Sequence, residues 1–168
     1  MADIYQFLAA HQISYERCDH PPAFTVEEAR RLVPPLPGKK IKNLFLCDGK
    51  GRKHFLVVVG FGKMMDLKGL GKLLDVKNIR FGSPGRLKKY LDLTPGSVTI
   101  LGIMNDPNHE VQVVIDKNIW EADGLQCHPL VNTSTLLISL EGIKEFLNAT
   151  GHEPHIIEVP GKNQTLET

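Results

Sequence analysis

Lys42 and Asn43 stand inside a run, Lys39-Lys40-Ile41-Lys42-Asn43-Leu44-Phe45-Leu46, that is otherwise bound for a hydrophobic core. Only one face of such a strand can hide them. An ammonium at a strand rim binds phosphate as a point charge, and Lys39 and Lys40 add to the local field. A solvated strand entrance carries the same residue types, because exposed lysine is ordinary. A second cluster, Cys127-His128-Pro129-Leu130-Val131-Asn132-Thr133-Ser134-Thr135, crowds a histidine, an amide and three hydroxyls into a turn before an apolar run. These donors and acceptors suit a small polar ligand or an oriented water, with His128 able to act as a base near neutral pH. A proline-directed turn that satisfies its own backbone explains them equally well. The third segment, Thr94-Pro95-Gly96-Ser97-Val98-Thr99-Ile100-Leu101-Gly102, has glycines that permit close backbone approach, so that free amides could receive a developing oxyanion. On turn chemistry alone it is an ordinary Pro-Gly turn.

The elements that must position these residues can be read from periodicity and punctuation. Asp3 to about His11 places Ile4, Phe7 and Leu8 at helical spacing, and Ile13 to Arg17 alternates as a short strand. Thr25 and Glu28 form a capping box for a helix carrying Val26, Ala29, Leu32 and Val33, ended by Pro34, Pro35 and Pro37. Ile41 to Cys47 and His54 to Val59 flank Asp48-Gly49-Lys50-Gly51, which predicts a β-hairpin. Asp66 to Leu74 reads as a helix, and Ser83-Pro84 caps another over Gly85 to Leu91. Strands are expected at Val98 to Ile103, Val111 to Asp116, Thr135 to Ser139 and His155 to Val159, with a helix from Leu140 to about Asn148 closed by Gly151. Strands and helices without regular alternation predict an α+β domain with a mixed, largely antiparallel sheet flanked by helices.

At 168 residues the chain suits a single domain over 1–160, with only a tail over 161–168. Twenty basic against nineteen acidic residues leave a formal charge of +1, which excludes a protein that coats nucleic acid nonspecifically and leaves room only for a local basic patch. No apolar run reaches the length a bilayer requires and no signal core opens the chain, so a cytoplasmic protein with no membrane partner is expected. Cys18, Cys47 and Cys127 form no CxxC pair, and the seven histidines form no HExxH. Buried free thiols are expected, with no metal and no cofactor.

Together, Lys42-Asn43-Leu44-Phe45-Leu46, Asp66-Leu67-Lys68, Gly82-Ser83-Pro84 with Arg86-Leu87, Thr94-Pro95-Gly96-Ser97-Val98-Thr99, Asn105-Asp106 and His128-Pro129-Leu130-Val131-Asn132-Thr133 resemble the YbaK/prolyl-tRNA editing domain family, and within it the free-standing Ala-tRNA(Pro) deacylases. The segments appear in that family's order and span the chain to about Pro154. The resemblance implies a pocket that accepts the aminoacyl end of a mischarged tRNA(Pro) and hydrolyses its ester. Lys42 matches the family's essential lysine at the terminal adenosine, and Gly96 to Ile100 match its GxxxP loop. His128 matches its pocket histidine. Catalytic roles are thus expected at Lys42, Gly96 and His128, and substrate contacts at Asn43, Ser97, Val98, Thr99, Ile100, Asn132 and Thr133. Lys39, Lys40, Lys50, Arg52 and Lys53 are expected to touch the acceptor stem. A monomer is expected, with association to prolyl-tRNA synthetase left open. Cys-tRNA(Pro) or another small mischarged amino acid is the alternative substrate, and a noncatalytic aminoacyl-tRNA-binding module the alternative class. Ile100 departs from the family's proline, so the loop gains an N–H and loses the φ restriction. Loop geometry and amino-acid selectivity depend on where that amide goes.

Overall fold

Asp48 closes the hairpin that organises the domain: its carboxylate accepts from the amides of Arg52 (2.7 Å) and Lys53 (3.1 Å), and Gly51 takes φ 68° in the turn. The hairpin strands are β2 (Lys39–Cys47) and β3 (His54–Gly60), paired antiparallel in register from Ile41 opposite Gly60 to Cys47 opposite His54. The computed structural model describes residues 3–22, 27, 28, 31 and 37–162. The helix expected from Thr25 through Val26, Ala29, Leu32 and Val33 falls largely outside them, as do residues 163–168 of the tail.

Around the hairpin the described chain runs α1 (Ile4–Ala10), β1 (Glu16–Asp19), β2, β3, α2 (Leu67–Leu74), β4 (Arg80–Phe81), α3 (Pro84–Leu91), a 3₁₀ turn (Ile100–Asn105), β5 (Val111–Asp116), a second 3₁₀ turn (Ile119–Glu121), β6 (Gly124–Cys127), β7 (Ser134–Ser139), α4 (Leu140–Thr150) and β8 (His155–Ile157). The expected caps Asp3 and Ser83 each accept a first-turn amide and Gly151 at φ 80° ends α4, while Asp66 and Ser139 cap α2 and α4 in the same way without having been singled out in the sequence. The strands form one mixed sheet in the order β1-β7-β6-β2-β3-β5-β8, with β4 on β2. The first predicted strand lies slightly later than its alternation suggested, at Glu16–Asp19, where it pairs with β7.

Phe55 to Val59 of β3 are buried on both faces, as suits a strand between β2 and β5 with helices on both sides. One face packs Ile41, Phe45, Leu56 and Val58 against Leu8 of α1, Leu91 of α3 and Phe146 of α4. The other packs Leu46, Val57 and Val59 against Leu70 of α2. Val159 and the partly buried Met65, Val76 and Ile79 complete that second face around α2, and a fully buried leucine such as Leu70 contributes about 1.5–3 kcal/mol relative to exposure.

The strand expected at Val98 to Ile103 is not formed; Ile100–Asn105 is a 3₁₀ turn instead. Its donors are taken by side chains and by its own turn, not by a neighbouring strand: Ile100 N–H donates to Asn43 Oδ1 (3.0 Å) and Leu101 N–H to Thr99 Oγ1 (3.2 Å). β4 and β6 were not expected. Both are short, at two and four residues, and a Leu-Gln-Cys alternation of three residues in β6 is too brief to announce a strand.

Candidate functional site

The site lies where β2 loses a partner. Lys39 and Lys40 pair with Leu125 and Gln126 of β6, and Leu46 and Cys47 pair with Phe81 and Arg80 of β4, while Ile41 to Leu44 between them pair only with β3. The sheet is therefore notched at Lys42 and Asn43. Successive side chains of a strand point to opposite faces. Asn43 shares its face with Ile41 and Phe45 in the larger core, and Lys42 shares its face with Leu44 and Leu46 above α2.

On the Asn43 side, three of the expected segments meet. Asn43 Oδ1 accepts the Ile100 amide, and because that partner is a donor, the atom facing it must be the oxygen. The amide nitrogen of Asn43 has no protein partner among the described residues and is not sealed from solvent. Thr99 Oγ1 donates to the His128 carbonyl at 2.7 Å and so ties the glycine loop to the histidine turn. The side chains of Thr99 and Ile100 are 0% exposed, so they hold the loop in place. Ahead of them Pro95 and Gly96 occupy the centre of a β-turn closed by Ser97 N–H to Thr94 O (3.0 Å), with Gly96 at φ 88°. Among the described residues the amides of Gly96, Val98 and Thr99 donate to no protein group, whereas those of Ser97 and Ile100 are engaged.

His128 is half-buried, and its Nδ1 lies 3.4 Å from the Ser134 carbonyl. A carbonyl can only accept, so Nδ1 carries the proton and Nε2 presents a lone pair. Burial pushes the His128 pKa below its ordinary 6.5, partly opposed by the Ser134 contact, and nearby His20 lowers it further. His20, which the sequence did not single out, is itself buried, with Nε2 2.7 Å from Thr135 Oγ1 and Nδ1 2.9 Å from the Pro21 carbonyl. Ser134 Oγ donates to Asp19 (2.6 Å), which fixes the same turn from β1. Asn132 is 9% exposed and its Nδ2 has no partner among the described residues, while Thr133 is exposed.

On the opposite face, Lys42 lines a cavity of about 480 Å³ with Leu44, Met64 to Lys68, Phe81 and Lys162. Partial burial lowers the Lys42 pKa from its usual 10.5, and no carboxylate pairs with its ammonium among the described residues. The remaining expected basic residues divide. Lys39 and Lys40 lie at the notch end of β2, and Lys50, Arg52 and Lys53 lie at the hairpin turn.

Comparison with known proteins adds an independent line. A family model described as an aminoacyl-tRNA editing domain matches residues 20–146. The chain is 37% identical over 148 residues to the prolyl-tRNA editing protein ProX of Acetoanaerobium sticklandii, covering 88% of this chain and 90% of that one. It is 34% identical over 160 residues to the mouse prolyl-tRNA synthetase associated domain-containing protein 1, covering 93% and 94%. Among solved structures, the hypothetical protein APE2540 superposes with a TM-score of 0.70 at 17% identity over 92% of this chain and 98% of that one. A candidate trans-editing enzyme for prolyl tRNA synthetase does so at 0.67 and 16%, over 96% and 99%. At those identities the structures speak for the fold.

Proposed function

This chain belongs to the aminoacyl-tRNA editing domain family, and from that premise we propose that it is a trans-editing deacylase that hydrolyses the ester of mischarged Ala-tRNA(Pro). The observation that carries the reading is the notch in β2, where Lys42 faces one side and Asn43, tied to the glycine loop and the histidine turn, faces the other. The terminal adenosine sits on the Lys42 side, with the ammonium at its ribose or phosphate, and the aminoacyl group passes through the notch towards Gly96 and His128.

Water attacks the ester carbonyl, the carbonyl oxygen takes up negative charge, and collapse of the tetrahedral intermediate breaks the bond to the ribose oxygen. The proton lost by water passes to that leaving oxygen, giving free alanine and deacylated tRNA. The unengaged amides near Gly96 receive the oxyanion, one such donor being worth about 3 kcal/mol. The substrate's 2′-hydroxyl or the Nε2 lone pair of His128 relays the proton. The aminoacyl ester is already activated, so positioning supplies much of the remaining acceleration. Alanine is selected by size, since a small pocket excludes proline more readily than an affinity site rejects a smaller residue. The protein acts as a monomer in this reading, and Ser97, Val98, Asn132 and Thr133 border the aminoacyl group.

Side-by-side hydrolysis of Ala-, Cys-, Ser- and Pro-tRNA(Pro) tests the proposal. Alanine is expected to be released fastest and proline spared. Release of none of them, with the tRNA still bound, would leave a noncatalytic module. Lys42→Ala should abolish turnover with an unchanged circular dichroism spectrum; near-normal turnover would remove the lysine from its role.

A further inference from the structure

The cavity that holds Lys42 contains groups that ester hydrolysis does not use. Lys68 and Lys162 join Lys42 in its wall, and none of the three has a carboxylate partner among the described residues. The one acid there, Asp66, is occupied in capping α2 through the Gly69 amide at 3.1 Å. Two apolar side chains that proteins normally bury are open in the same wall, Phe81 at 56% and Met64 at 53% exposure.

The backbone holds both firmly. Phe81 sits opposite Leu46 in the β4–β2 ladder, which puts its ring on the Lys42 face of the sheet. Gly82 follows with its amide on the Phe45 carbonyl (2.9 Å), and a Cβ there would collide with the Phe45 ring, so the chain beside Phe81 is pressed flat. Met64 is held by the Lys162 amide on its carbonyl (2.7 Å), next to a bridge between Met65 and Gly161.

An exposed aromatic face on a rigid strand, bordered by unpaired ammoniums, is how proteins seat single-stranded nucleic acid: bases stack and the backbone is neutralised. Lys42 and Leu46, the neighbour of Phe81, are four residues apart on β2, about 13 Å at 3.3 Å per residue. That is the length of a few stacked nucleotides at about 3.4 Å each. We propose that this cavity seats the unpaired nucleotides that precede the terminal adenosine, one base stacking on Phe81 beside Met64 and the phosphates pairing with Lys68 and Lys162. The proposal rests on the deacylase reading for the identity of the RNA.

The test compares two substrates, alanylated tRNA(Pro) and 3′-alanyl-adenosine, which lacks every upstream nucleotide. In Phe81→Ala, the ratio of kcat/KM on the tRNA to kcat/KM on alanyl-adenosine should fall about 5- to 100-fold, and Phe81→Tyr should restore it. Replacing Lys68 and Lys162 by alanine should flatten the dependence of log KM on log salt by about 0.7 per ammonium for the tRNA. Calorimetric titration with the unacylated trinucleotide CCA should show binding that weakens in Phe81→Ala. An unchanged ratio together with unchanged CCA binding would overturn the seat and assign the exposed ring to a protein contact. A wild-type protein that binds CCA through Phe81 but hydrolyses neither substrate would uphold the seat and defeat the deacylase.

Discussion

Ile100 donates a hydrogen bond that proline in its place could not, and that donor turns the Asn43 side chain so that its nitrogen looks away from the loop. Ile100→Pro is therefore expected to free the Asn43 amide to rotate. The missing bond, worth about 1 kcal/mol net, should appear as a several-fold fall in kcat on Ala-tRNA(Pro) with a smaller change in KM. Asn43→Asp keeps the acceptor and deletes the NH₂; if it turns over normally, the amide nitrogen has no part in the reaction. His128 makes a separate prediction. Its pKa is depressed, so the ring is neutral at pH 7 and becomes charged only as pH falls below 6.5. If Nε2 accepts the proton, kcat should rise with pH through that lowered value and level off above it. His128→Ala should then lose both most of the rate and the acid limb, whereas a partial loss with the limb intact would make the histidine a wall of the pocket. Because the folded pKa lies below the unfolded one, the same titration costs stability as pH drops through the window beneath 6.5 and leaves it untouched above.

At the scale of elements, the segment around Thr99 shows why part of the site could not be read from the chain. Its β-branched and apolar residues favour a strand, yet the Thr99 hydroxyl donates to the His128 carbonyl and accepts from Leu101, which shapes a 3₁₀ turn. The partners that hold the segment lie 29 residues away and 57 residues away, at His128 and Asn43, beyond any local pattern. The hairpin, the capped helices and β5 were legible because their signals are local: a turn carboxylate, an N-cap, an apolar run. β6 and the notch were not, because they depend on which strands meet β2 at each of its ends. Phe81 escaped for the same reason, as a residue of a two-residue strand whose ring is placed only by its pairing. Thr99→Val should leave two buried groups short of a partner at a cost of about 1–3 kcal/mol, seen as a lower urea midpoint with an unchanged slope. Thr99→Ser should recover most of it; a neutral Thr99→Val would mean that the hydroxyl does not hold the loop.

Across the whole molecule the hairpin separates two basic regions. Lys39 and Lys40 flank the notch, while Lys50, Arg52 and Lys53 lie beyond Cys47 at the other end of β2, roughly 25 Å away at about 3.3 Å per residue. A single phosphate cannot touch both, but a tRNA acceptor end can, with its terminus at the notch and its stem running along the domain. Among the described residues no helix is long and apolar enough to cross a membrane. If the stem follows the hairpin, replacing Lys50, Arg52 and Lys53 together by alanine should raise KM for Ala-tRNA(Pro). It should also reduce the salt slope by about 0.9 for each phosphate that is no longer neutralised, while hydrolysis of alanyl-adenosine proceeds at the wild-type rate. Replacing Lys39 and Lys40, which border the notch, should instead affect both substrates. Equal declines on both substrates from the turn variant would show that the hairpin tip supports the fold and leaves the stem to another face.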